Sequence, residues 1–123
     1  MSGSLTASQV LEFKGEIRAL LEQLRQEVLQ ELADAGHERS LELIDGPGDQ
    51  ADEAVAETVA QLNIAHLARH VEEIRSCRHA LYLIETGDFG FCENCGEDIE
   101  LNRLRANPVA TLCVSCQARK ERS

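Results

Sequence analysis

Two Cys-x-x-Cys pairs close to the C-terminus, in "CENCGEDIELNRLRANPVATLCVSC", constrain this chain more than any other feature. Cys92, Cys95, Cys113 and Cys116 are separated by 2, 17 and 2 residues, which falls within structural-zinc spacing. Two residues between ligands let a tight knuckle aim both sulfurs at one ion, and Gly96 after the second cysteine permits the turn. The intervening excursion brings the second knuckle round to complete a tetrahedron. With every position filled by cysteine, no site is left for water, so the expected cofactor is one structural Zn2+. Redox dithiols and an iron–sulfur cluster are the competing readings. A redox dithiol needs a depressed thiol pKa at a helix N-terminus in a larger α/β fold, which this sequence lacks.

The rest of the chain reads as helix. Aromatic residues make up only 3 % of the 123 residues, with no Trp, and the apolar positions are mostly Leu, Ile, Val and Ala. "TASQ" is a capping box, with Thr6 at the cap and Gln9 reaching back. Val10, Phe13, Ile17, Leu20, Leu24, Val28 and Leu32 then follow the helical period. Gly15 and Gly36 weaken that helix, and "DAGHERS" either kinks or ends it. "IDGPGDQAD" is a strong breaker, so Asp45 to Asp49 form a loop. Helix resumes with Asp49 or Asp52 as its cap. Val55, Val59, Leu62, Leu67, Val71, Ile74, Leu81 and Ile84 make the second stripe, and Gly87 ends it.

Each stripe is too narrow to bury alone. The expected fold is therefore mainly α: a long antiparallel coiled-coil hairpin over residues 5–87, with its tip near 45–54. Each arm is roughly 50 Å long at 1.5 Å per residue. Residues 88–123 form a small four-cysteine zinc-finger module ending in a short helix. "FGF", Ile99, Leu101, Leu104, Val109 and Leu112 supply its miniature core, which depends on the metal. Cys77 sits on the second seam as a small buried hydrophobe. His66, His70 and His79 are partly exposed helix residues rather than ligands.

Charge narrows the partners. Residues 1–98 carry 7 Lys+Arg against 20 Asp+Glu and residues 99–123 carry 5 against 2, for a total of −10. An acidic body opposes duplex DNA, whose phosphates demand a cationic footprint, so direct sequence-specific DNA binding is not expected. It favours a partner with a positive surface or a bound cation, or serves only solubility. No run approaches the 18 apolar residues a membrane span needs, and the N-terminus lacks the basic and apolar regions of a secretory signal. A reducing, cytoplasmic setting follows. No phosphate-binding loop or activated nucleophile is present, so the chain is not expected to be an enzyme.

"GDFGFCENCGEDIELNRLRANPVATLCVSCQARKE", preceded by a hairpin whose break reads "DQADEA", resembles the DksA/TraR family of bacterial transcription factors. The resemblance runs from about Thr6 to Glu121. It rests on Asp-Phe-Gly ahead of the first knuckle, on the Arg-Leu…Asn-Pro segment before the second, and on Asp-x-x-Asp-x-Ala at Asp49, Asp52 and Ala54. It implies a regulator, tied to the stringent response, that binds RNA polymerase directly. The hairpin would enter the polymerase secondary channel, and Asp49, Asp52 and Ala54 at its tip would alter open-complex stability. Arg69 and Arg103 match basic family positions in polymerase contact. The chain begins shortly before the first arm, without the extra N-terminal segment of longer members. Positions that carry basic side chains in members responding to the alarmone ppGpp are neutral here, at Ser76, Asn107 and Gln117. Weak or absent ppGpp synergy is therefore expected.

Two other functions stay open. A transcript-cleavage helper would use tip carboxylates in the same channel to hold a second Mg2+. A zinc-ribbon nucleic-acid binder would use Arg103, Arg105, Arg119, Lys120 and Arg122, without interleaved aromatics.

Overall fold

The computed structural model describes residues 5–34, 36, 49–62 and 64–122, with no side-chain description for 49–51. Five helices occupy them: α1 (Ala7–Asp34), α2 (Asp49–Leu62), α3 (Ala65–Thr86), α4 (Leu101–Ala106) and α5 (Val114–Arg122). Among the described residues the only β pairing is an isolated antiparallel bridge between Phe91 and Asp98. The fold is mainly helical, as its apolar periodicity predicts. The chain divides into two compact units, one made of residues 1–18 with 79–123 and the other of Ala19–Arg78.

The second of these units, Ala19–Arg78, is built from α1, α2 and α3. Glu27 of α1 lies 3.6 Å from His70 of α3, and Glu31 pairs with His66. Numbers that rise on one helix fall on the other, so α1 and α3 are antiparallel. Arg75 of α3 meets Glu53 of α2 at 3.4 Å, and Arg78 meets Asp52, which makes α2 and α3 antiparallel as well. The expected second arm is thus in two pieces, with α2 folded alongside α3 instead of continuing into it. Nothing as strong as Gly or Pro stands in "QLNIAHL", so the cause is tertiary. At 100° per residue, one unbroken helix would set Val55 and Val59 about 100° away from Leu67, Val71 and Ile74. Folding back lets both faces be buried. Leu21, Leu24, Val28 and Leu32 from α1 join Val55, Ala56, Val59, Leu67, Val71, Ile74 and Cys77 in this interior. A side chain of this kind stabilises by roughly 1.5–3 kcal/mol when fully buried.

In the other unit, the start of α1 carries the expected capping box in full. The Thr6 N–H donates to Gln9 Oε1 at 2.9 Å, and the Gln9 N–H donates to Thr6 Oγ1 at 3.1 Å. Phe13 and Phe89 stack at 5.7 Å between ring centroids, tilted by 50°. Ile17, Ala80, Leu83, Ile99 and Leu104 complete the core. α3 stops as expected: Gly87 has φ 84°, and the Asp88 N–H returns to the Leu83 carbonyl at 2.9 Å. Gly90 has φ 91°, and a Cβ there would meet Leu5 Cδ1 at 2.6 Å.

Of the two readings of "DAGHERS", the structure takes the ending: α1 stops at Asp34, and Gly36 turns left-handed with its N–H on the Ala33 carbonyl at 3.0 Å. Two details differ from expectation. Along α1 the seam takes Leu21, and Leu20 is only half-buried. On α3 it moves one residue back, to Ala80 and Leu83 in place of Leu81 and Ile84, because Ile74, Cys77, Ala80 and Leu83 step by threes and the stripe rotates. Of the loop expected at Asp45 to Asp49, residues 45–48 lie outside the described residues, and Asp49 is instead the first residue of α2.

Candidate metal centre and the acidic segment

The first knuckle is shaped by its backbone. The Cys92 N–H donates to the Glu97 carbonyl at 2.7 Å, the Gly96 N–H returns to the Cys92 carbonyl at 2.9 Å, and Gly96 has φ 80°. Only glycine takes that conformation without strain. The second knuckle opens α5, so Cys113 and Cys116 lie one turn apart at its start. The two knuckles are tied by the Glu93 N–H on the Thr111 carbonyl at 2.8 Å. α4 and its N-cap residue brace the second knuckle: Arg103 Nε donates to the Leu112 carbonyl at 2.7 Å, and Glu100 Oε1 accepts the Val114 N–H at 3.2 Å.

This framework gathers the four sulfurs to within 4.8 Å of one another. A tetrahedron with Zn–S bonds of about 2.3 Å separates its sulfurs by about 3.8 Å. Cys95 and Cys113 Sγ are 3.8 Å apart, so the donor set fits the ion. Cys95 is exposed, and Cys92, Cys113 and Cys116 are buried.

The thiols are electrostatically unequal. Burial pushes Cys92 up, but the backbone N–H groups of Cys113, Cys95 and Asn94 outweigh it and bring the pKa down to about 6. The Glu97 N–H favours the Cys95 thiolate, yet local desolvation by the cluster and its three neighbouring sulfurs prevail and push it up to about 12. Cys116 is held below its ordinary range by the Asn94 side chain, against burial, with help from Cys113 and Arg119. Such a cluster does not ionise together unaided. A bound dication reverses the balance and deprotonates its thiol ligands outright.

Sequence reasoning missed two side chains at this centre. Asn94 Nδ2 donates to Cys116 Sγ at 3.3 Å, and Arg119 Nη2 donates to the same sulfur at 3.2 Å. Their signal was positional: Asn94 lies between two ligands, and Arg119 follows Cys116 by one helical turn.

The acidic segment lies in the Ala19–Arg78 unit. Asp49 is the first residue of α2. Asp52 is buried, and both its oxygens are engaged: Arg25 Nε donates to Oδ1 at 2.9 Å and Arg78 Nε to Oδ2 at 2.5 Å. It neither caps α2 nor stands open at a tip, because two guanidinium groups from flanking helices claim it first. Ala54 is half-buried, and its carbonyl accepts the Thr58 hydroxyl at 3.0 Å. Arg69 is exposed on α3. Arg103 is engaged in the α4 brace. His66, His70 and His79 pair with Glu31, Glu27 and Glu93; none of the three is in the metal-binding cluster, although Glu93 lies between two of its ligands. Cys77 is fully buried, as its seam position predicts.

A four-cysteine centre of this geometry in an otherwise helical chain defines a zinc-finger protein of the all-thiolate type, and it holds one structural zinc ion. Residues 87–122 match the prokaryotic dksA/traR C4-type zinc finger. The chain is 30 % identical to the RNA polymerase-binding transcription factor DksA of Haemophilus influenzae over 117 residues, covering 95 % of this chain and 77 % of that protein. Its counterpart in Escherichia coli K12 is 31 % identical, again over 95 % of this chain and 74 % of the relative. The solved structure of transcription factor DksA2 from Pseudomonas aeruginosa is similar at a TM-score of 0.70 and 27 % identity, covering 99 % of this chain and 90 % of that one. The chain belongs to the DksA/TraR family.

Proposed function

We propose that this protein is a non-enzymatic transcription regulator that binds bacterial RNA polymerase directly, through the secondary channel, and alters open-complex stability. The observation that carries the reading is likeness along almost the whole chain, helical part and zinc module alike, to proteins named for polymerase binding. Asp49, Asp52 and Ala54 are the proposed determinants of that contact, with Arg69 as an exposed basic contact. Arg103 contributes by holding the second knuckle in place. Because Arg25 and Arg78 grip Asp52, use of its carboxylate requires parting it from at least one of them. The action needs no direct DNA reading. The ppGpp contribution is small, because Ser76, Asn107 and Gln117 are neutral and offer a polyphosphate no cation.

The cleavage-helper reading is disfavoured by the pairing of Asp52, whose oxygens face guanidinium rather than an open cation site. The nucleic-acid reading is disfavoured by the work Arg103 and Arg119 do within the zinc module. The test is binding of the zinc-loaded protein to purified RNA polymerase in competition with another secondary-channel protein. Saturating competitor is expected to displace it, and D49N is expected to leave binding in place but shorten its effect on open-complex lifetime. Binding that persists unchanged under competitor overturns the channel assignment. Strong potentiation by ppGpp on polymerase lacking its other alarmone site overturns the ppGpp reading.

A further inference from the structure

The four zinc ligands are not surrounded alike. Cys116 is 3 % exposed and takes two side-chain N–H donors, from Asn94 and Arg119. Cys95, in the same centre, is exposed and takes the backbone N–H of Glu97. A hydrogen bond to an ionised sulfur draws charge from it and is roughly twice as strong as a neutral one. Partners of this kind also fix a ligand's orientation, and losing one costs about 10–100-fold in metal affinity.

We infer that Asn94 and Arg119 are positioning residues that grade the zinc clasp, making Cys116 far less reactive than Cys95 and Cys95 the thiolate at which electrophiles first open it. The two donors come from opposite knuckles, Asn94 from the first and Arg119 from the helix that follows the second. They converge on one sulfur, so the inertness of Cys116 depends on both knuckles being in place. Cys95 is the exposed ligand of the four. Alkylation there leaves a neutral thioether: the sulfur lone pair displaces iodide from iodoacetamide, an S–C bond forms, the C–I bond breaks and iodide departs. Cys116 and its donors keep the second knuckle gripped meanwhile.

The test uses the full zinc-loaded chain, limiting iodoacetamide, and peptide mass spectrometry to rank the cysteines. Cys95 is expected to be alkylated first and Cys116 at least about 10-fold slower, in the range outer-shell partners command. Burial alone would also slow Cys116, so the variants N94L and R119M keep side-chain bulk and remove the donors. Together they are expected to speed Cys116 alkylation about 10-fold, leave Cys95 unchanged, and hasten zinc transfer to a chelating dye. R119K, which retains an N–H donor, is expected to restore most of the protection. In the cobalt-substituted protein, N94L and R119M are expected to move the sulfur-to-metal charge-transfer band to lower energy, since an unshielded thiolate gives up its electron more readily. The inference is overturned if Cys116 reacts as fast as Cys95 in the parent. It is equally overturned if the double variant leaves both the Cys116 rate and the charge-transfer band where they were. Should the double variant fail to take up metal, the single variants and the parent ranking decide between the same outcomes.

Discussion

Asp52 is the residue whose surroundings depart furthest from its sequence context. In a row of acids after a Gly-Pro-Gly break it reads as an exposed cap, yet it is a buried carboxylate shared by Arg25 and Arg78. Removing one member of such a group leaves the others with charge that water no longer solvates fully. D52A is therefore expected to destabilise the Ala19–Arg78 unit by about 1–3 kcal/mol, less than a fully buried pair because both arginines remain partly exposed. Urea unfolding followed by circular dichroism checks it, and an unchanged midpoint refutes the pairing. Neither arginine was legible beforehand, because a charge beside a seam residue, such as Arg25 after Leu24, normally lies in solvent. The cysteines were legible because ligand spacing is a local property of the chain, whereas a partner 27 residues away is not. Cys77 was legible for a similar reason, from its place in the stripe. Burial, reinforced by Glu73, pushes its thiol up to about 11. The unfolded chain then loses this proton first, near the ordinary value of 9.0, and the folded chain later. The associated stability is present in full below about pH 9 and is lost as pH climbs towards 11. Unfolding midpoints across that window are expected to fall less steeply in C77A than in the parent.

At the level of elements, the helix starts and stops that depend on neighbouring residues were read correctly. The Thr6–Gln9 box and the Gly87 stop are examples, each closed by hydrogen bonds spanning a few positions. The division of the second arm into α2 and α3 was not read, because no breaker residue marks it. What decides it is the mismatch between two apolar faces, and that becomes visible only when a third helix is available to cover both. Gly90 belongs to this scale too. Its positive φ and the nearby Leu5 side chain leave little freedom, so G90A is expected to cost about 1–2 kcal/mol. Thermal denaturation of the zinc-loaded protein measures the loss, and an unaltered Tm would show that the turn tolerates a side chain.

For the molecule as a whole, the helices and the metal centre carry separate expectations. α1, α2 and α3 hold 28, 14 and 22 residues, against 6 and 9 in α4 and α5. C113S is therefore expected to lose zinc and the order of its module while most far-UV helicity survives. A collapse of the whole helical signal would mean that folding of the long helices requires the ion. The net charge of −10 bears on partners in the same global way. Association with a polymerase surface of opposite sign should weaken as salt screens it, and a salt-independent affinity would speak for an apolar contact instead.

The bracing of α4 against the second knuckle has a bearing on how the metal is acquired. Arg103 and Glu100 latch that knuckle through main-chain atoms, and neither bond involves a sulfur. An arriving ion thus meets two ligands already posed at the head of a helix, and less of the chain has to be ordered at the moment of capture. Loading should be quick, with the remaining delay in seating the solvent-facing edge of the other knuckle.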